Sequence, residues 1–213
     1  MDRGGIVGED GPTHHGLFDY AFLRNIPNLT IMAPKDEKEL RSMLALAVNH
    51  HGPIALRYPR GSGEGVDMDA PTPSMEIGRG ELLQDGHDIV LIAVGRVVQE
   101  ALKAAKILEE NGISVGVINA RFVKPLDKDL ILDMALKTGK LLTIEEHVLD
   151  GGFGSAVLEL LADNDAFNCR VKRVGIRDTF VEHGPQSTLR KAYKVDAEAV
   201  VTAVKEMLRH GTD

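Results

Sequence analysis

A layered α/β fold is what the sequence predicts, and three observations predict it. Runs of β-branched residues alternate with segments of helical period along most of the chain. One such run, Ile89 to Val94, is continuously apolar, as a strand covered on both faces must be. The composition, 43% hydrophobic and 27% charged over 213 residues, is that of a globular chain able to bury a core. At about 150 residues per domain this length fits one or two domains.

Taken in order, Asp2 to Gly16 contains five glycines and a proline and precedes any periodic segment. A Gly-rich loop of this kind normally follows a strand that positions it, so the chain reads as lacking a preceding portion. Leu17–Leu23 reads as a short helix and Asn28–Met32 as a strand. Asp36 with Glu39 three residues on resembles a capping box. Leu40, Met43, Leu44, Ala47 and Val48 then mark a helix face, and Pro53–Tyr58 a second strand. This strand–helix–strand unit favours a parallel pair. Gly61–Ser74, with Pro71 and Pro73, reads as a linker.

From Ile77 the pattern is more regular. Gly80–Leu83, Ile89–Val94, Ile113–Ile118, Leu141–Ile144 and Arg170–Ile176 read as strands. Val97, Ala101, Ala104 and Leu108 mark a helix face closed by Asn111-Gly112, and Asp127 and Asp196 are caps for two further helices. Gly151–Ser155 opens another helix, and its glycines suggest close packing rather than a phosphate loop, since no G-x-G-x-x-G or P-loop lysine is present. Ser155 stands outside any G-x-S-x-G elbow, which disfavours a serine hydrolase. Glu145-Glu146-His147 ends a strand and could form a site, though such a cluster is more often a solvated loop or an interface ion pair. No H-E-x-x-H supports a zinc peptidase.

The net charge of −7 and the absence of tryptophan argue against nucleic acid or an anionic membrane as the main partner. No apolar run approaches the roughly 18 residues of a membrane span. A single cysteine, Cys169, allows no intrachain disulfide and fits a reducing, cytoplasmic setting.

Two places concentrate chemistry. Arg3, Asp10 and His14 share the Gly-rich loop: a cation, a carboxylate and an imidazole suited to a polar substrate and to proton transfer. An ordinary surface loop is the alternative, and the density of ionisable groups favours a site. Arg57 and Arg60 lie at the carboxyl end of a strand, where open α/β sheets collect ligands. Arg57 alternates with Leu56 and Tyr58 and fits a paired sheet residue. Arg60, past the strand, is the better candidate for binding phosphate, with a solvated arginine as the alternative.

DRGGIVGEDGPTHHG, IALRYPRG, GHDIVLIAVG, NARFVKPLD and EEHVLDGGFGS together resemble the 1-deoxy-D-xylulose-5-phosphate synthase family of thiamine-diphosphate enzymes, and the resemblance covers essentially the whole chain. It implies part of a pyrimidine-binding domain over 1–64, a linker over 65–76, and a transketolase C-terminal-like domain with a mostly parallel sheet over 77–213. It implies decarboxylation of pyruvate and transfer of the two-carbon remnant to glyceraldehyde 3-phosphate, within a homodimer using thiamine diphosphate and Mg²⁺. By resemblance His14 and Asp10 are catalytic, and Arg3 and Arg60 hold the substrate phosphate. The family more often has Ala at Gly4, and Gln or Asn at His15. Its Mg²⁺–diphosphate motif and activating Glu have no counterpart here, so the chain by itself is expected to be inactive. A transketolase, a 2-oxo-acid dehydrogenase β-subunit and a non-catalytic assembly module are the alternatives. With its sheet cut short, the 1–64 segment is expected to lack strand neighbours and to be partly disordered or held by a partner copy.

Overall fold

The computed structural model describes residues 1–70 and 74–209, so Pro71 and Pro73 of the expected linker lie outside the described residues. The first segment holds α1 (Asp19–Leu23), β1 (Thr30–Met32), α2 (Glu37–Asn49) and β2 (Ile54–Leu56). The second holds β3 (Glu81–Gln84), β4 (Ile89–Ala93), α3 (Val98–Glu109) after a 3₁₀ turn, β5 (Val115–Asn119) and β6 (Phe122–Lys124). It continues with α4 (Lys128–Thr138), β7 (Lys140–Val148), α5 (Phe153–Ala162), β8 (Arg170–Ile176), α6 (Gln186–Ala192) and α7 (Ala197–Arg209).

A five-stranded sheet runs in the order β3-β5-β4-β7-β8, with β4, β5, β7 and β8 parallel and β3 antiparallel at one edge. Every residue of β4 is buried, in keeping with its uninterrupted apolar run. Asp36 and Asp127 cap α2 and α4 by accepting from the Glu39 and Leu130 amides, and Asp196 accepts from Ala199 N–H at the start of α7. Gly112, at φ 76°, takes the left-handed conformation that ends the α3 turn.

The smaller sheet, β2-β1-β6, corrects the expectation that the first segment's strands lack neighbours. β1 pairs in parallel with β2, as the strand–helix–strand unit predicts, and on its other side pairs antiparallel with β6 from the second segment. Strand β6 and helix α6 are too short to show a period, which is why the sequence reading has neither. The core is shared as well. Ile6 and Leu17 pack with β4, β7 and α3, while Tyr20, Leu29, Ile31 and Ala33 pack with Val90, Ile92 and Phe153. Residues of the Gly-rich loop are therefore held by the second segment of the same chain, and no partner copy is needed to bury them.

Two further readings are corrected. Leu44 and Val48 are exposed, because α2 turns Met43 toward Met32 and Phe122, with Leu46 and Ala47 packed beside them. Glu145, Glu146 and His147 are not a solvated loop: β7 continues through them, all three are buried, and Glu146 forms an ion pair with Arg190. No helix among the described residues is long and apolar enough to cross a membrane.

Candidate functional site

The Gly-rich loop folds back on itself. Gly5 N–H donates to Gly16 C=O at 2.9 Å, Gly16 N–H donates to Arg3 C=O at 3.0 Å, and Gly4 N–H donates to Tyr58 C=O at 2.9 Å. The glycines permit these approaches: a Cβ on Gly16 would lie 2.4 Å from the Arg3 carbonyl, and one on Gly5, at φ 83°, would lie 2.6 Å from a Glu146 carboxylate oxygen. Arg3 itself sits at φ 56°, a conformation that costs a non-glycine residue energy and that clusters at ligand sites.

This folding brings Arg3, Asp10 and Arg60 together. Arg3 Nε lies 3.3 Å from Asp10 Oδ2, and an Arg60 guanidinium nitrogen pairs with the same oxygen. The Arg60 guanidinium holds the Asp10 carboxyl below its ordinary value, with burial opposing and Arg3 assisting. Both arginines are nearly half exposed, so each keeps N–H donors directed outside the pair. Asp2 also pairs with Arg3, at 3.1 Å, so the cluster of two guanidiniums and two carboxylates is close to neutral; the exposed Asp2 side chain can swing away and leave guanidinium donors for a phosphate. His14 lies on the exposed rim of the loop, where its Nδ1 hydrogen-bonds Thr13 Oγ1 at 2.9 Å, while Asp10 is paired with the two arginines. A cavity of about 570 Å³ opens beside Arg60, lined also by Lys35, Tyr58, Arg96 and Gln186. A cavity of about 630 Å³ between β8 and α7 contains none of these loop residues, so the arrangement of charge rather than cavity size selects the site.

Arg57 is the paired sheet residue that strand alternation suggests. It is buried, donates from Nε to Asp19 Oδ2 at 2.8 Å and from another nitrogen to the Tyr20 hydroxyl at 2.9 Å, and lies 4.2 Å from the Tyr20 ring centroid. It also donates to the carbonyls of Gly16 and Glu146, joining the site loop to β7. Burial works against its charge, but Tyr20 and Asp19 outweigh burial and raise its pKa. Tyr20 stacks on His147, whose Nε2 accepts from the Tyr20 amide at 3.0 Å while Nδ1 donates to Val148 C=O. A proton on Nε2 would oppose that amide, and burial lowers the His147 pKa to about 4.

Residues outside the predicted site set complete the seam. His15 accepts from Val7 N–H at Nδ1 and donates from Nε2 to Glu182 C=O, both at 3.0 Å, which fixes a neutral tautomer. Glu146 pairs with Arg190 at 2.9 Å. Glu39, at the start of α2, accepts from Asn119 and from Arg121 across a second seam. Glu145 accepts from the Phe153 and Gly154 amides at 2.6 and 2.8 Å. Its own carboxyl therefore fills the α5 N-terminus, and the Gly151–Ser155 turn has no room for a phosphate. Burial pushes Glu145 up to about 8, against the lowering effect of those amides. The loop glycines signalled the site in the sequence; nothing in EHGPQSTLR signalled its contribution.

This fold and loop define a class. The transketolase pyrimidine-binding domain pattern matches residues 1–64 and the transketolase C-terminal domain pattern matches residues 78–200, and the chain belongs to the transketolase family. Within that family it matches the C-terminal part of proteins named 1-deoxy-D-xylulose-5-phosphate synthase. The relative from Geobacter sulfurreducens is 56% identical over 208 residues, covering 98% of this chain and 33% of the relative. That from Heliobacterium modesticaldum is 55% identical, covering 97% of this chain and 32% of the relative. The chain thus spans about a third of the length of the curated relatives it matches. Among solved structures, a split-gene transketolase described as an inactive β4 tetramer superposes with a TM-score of 0.82 at 33% identity, over 93% of this chain and 63% of that one. Transketolase from Leishmania mexicana superposes at 0.74 with 23% identity, over all of this chain and 30% of that one, and shares the fold.

Proposed function

We propose that this chain is the part of a 1-deoxy-D-xylulose-5-phosphate synthase that receives the phosphorylated acceptor, glyceraldehyde 3-phosphate, for joining to the two-carbon remnant of pyruvate. The observation that carries the reading is the convergence of Arg3 and Arg60 on Asp10 at the mouth of a Gly-walled loop. In this reading Arg60 and Arg3 bind the phosphate, and Asp10 holds the two guanidiniums apart and oriented. His14, on the rim of the same loop, moves a proton at the acceptor's aldehyde oxygen as the new carbon–carbon bond forms.

Thiamine diphosphate supplies the carbanion chemistry in this class. On this reading its Mg²⁺–diphosphate cradle is supplied by another part of the synthase. Among the described residues no group of three or more His, Cys, Asp or Glu is placed to hold a metal. The carboxylates buried at the seams, those of Asp19, Glu39, Glu145 and Glu146, are each engaged by arginine or by backbone amides. On this reading the complete synthase is the catalytic unit, with 1–64 as part of its pyrimidine-binding domain, 65–76 as a linker and 77–213 as its C-terminal domain. We infer a cytoplasmic homodimer.

Steady-state kinetics of the complete synthase test this. Arg60→Ala removes a charge-assisted phosphate contact of about 1.5–3 kcal/mol, and should raise KM for glyceraldehyde 3-phosphate while sparing that for pyruvate. An equal effect on both substrates, or none, rejects the phosphate role.

A further inference from the structure

We propose that Gln186, in the C-terminal domain, is a positioning residue for the acceptor's phosphate: it fixes the turn that carries Arg60. The proposal rests on the phosphate-site reading of Arg60 given above.

Arg60 lies beyond the end of β2 in a turn continued by Gly61, at φ 131°, and by Gly63. A long, half-exposed side chain on a glycine-flanked turn has many conformers, and holding it in one costs entropy that a binding site must offset. Gln186 Nε2 donates to the Arg60 carbonyl at 3.0 Å. The other end of the same amide is held, since its Oε1 accepts from Arg190 at 3.1 Å. Arg190 in turn donates from Nε to Glu146 Oε1 at 2.9 Å, both side chains being almost wholly buried. Glu146 backs onto Gly5 on the opposite wall of the loop.

One line of hydrogen bonds therefore runs from the Arg60 turn through α6 and β7 to the wall of the loop that bears Arg3 and Asp10. Gln186 also touches that loop directly: a Cβ on Gly8 would lie 3.1 Å from Gln186 Cγ, and the Gly184 amide donates to the Gly8 carbonyl. The spacing between the two arginines is thus set from the second domain. A residue that merely packed the domains together would affect all substrates alike, whereas one that sets Arg60 affects only what Arg60 touches.

The test uses the complete synthase with three substrates: pyruvate, glyceraldehyde 3-phosphate and unphosphorylated D-glyceraldehyde. Gln186→Met keeps the length and loses both hydrogen bonds; Gln186→Glu keeps an acceptor for Arg190 but cannot donate to the Arg60 carbonyl. Both should raise KM for glyceraldehyde 3-phosphate about three- to tenfold, the scale of one lost hydrogen bond. KM for pyruvate and kcat/KM for D-glyceraldehyde should stay within about twofold of the parent. In an Arg60→Ala background, Gln186→Met should add no more than about twofold, because the two act as one unit. Equal effects on all three substrates, a Gln186→Glu variant indistinguishable from the parent, or full additivity with Arg60→Ala would each overturn the proposal. Silent Gln186 variants beside a selective Arg60→Ala would overturn it alone. An Arg60→Ala variant that treats both acceptors alike would remove the phosphate-site reading, and this proposal with it.

Discussion

Arg57→Met should be among the most destabilising single substitutions in this chain. The guanidinium is buried and serves Asp19, the Tyr20 hydroxyl and the carbonyls of Gly16 and Glu146. Methionine fills much of the volume but leaves the buried Asp19 carboxylate without its cation. Breaking a buried pair from one side costs about 3–5 kcal/mol, largely the penalty of the stranded charge. At about 2–4 °C per kcal/mol for a chain of this size, the midpoint should fall by about 6–20 °C. Urea unfolding gives the free energy and a thermal melt the midpoint. The double variant Arg57→Met, Asp19→Asn should be more stable than Arg57→Met alone, because no charge is left stranded. A single-variant loss below about 1 kcal/mol, the range of an exposed pair, would refute the reasoning.

The Glu145 carboxyl, raised to about 8 in the folded chain from 4.5, contributes stability below 4.5 that is lost as pH rises through 8. His147, depressed to about 4 from 6.5, contributes stability above 6.5 that is lost as pH falls through 4. Between 6.5 and 8 the loss of the Glu145 contribution should make urea-derived stability fall with rising pH, by up to about 2 kcal/mol, and Glu145→Gln should remove that part of the slope; a slope unchanged by Glu145→Gln would contradict the burial argument. Gly154→Ala should cost about 1–3 kcal/mol by denaturant titration, since its Cβ would lie 2.6 Å from Thr143 Oγ1 at a packed helix–strand contact. Isothermal titration of the isolated chain with thiamine diphosphate and Mg²⁺ should show no micromolar binding; such binding would mean that a cofactor cradle is present after all.

The larger sheet was legible in the sequence because its signals are local. The Ile89–Val94 run, the Val97-Ala101-Ala104-Leu108 stripe and the caps at Asp127 and Asp196 each depend on residues a few positions apart. The loop residues Arg3 and Asp10 were legible for a similar reason, since glycines and ionisable groups crowd one short stretch. What was illegible depends on distant partners. Phe122–Lys124 becomes a strand because β1 offers it an edge, and no period in three residues could announce that. Glu145, Glu146 and His147 look solvated in sequence because charge normally means water. Here Arg190, the α5 amides and the Tyr20 amide replace that water. Gln186 gave no signal, because its role lies in an amide bridging to a carbonyl 126 positions away.

The central claim is that the Gly-rich loop and the C-terminal domain form one unit, with the site held between them. Amide hydrogen exchange on this chain tests it most directly. Gly5 and Gly16 N–H are bonded within the loop, Val7 N–H to buried His15, and Tyr20 N–H to buried His147. The account predicts slow exchange at these four amides, lost together with that of β1 when Arg57 is replaced by methionine. Free exchange at Gly5, Val7 and Gly16 in the parent chain, beside full protection of Ile89 to Ala93, would show that the loop is not joined to the second domain and would contradict the account.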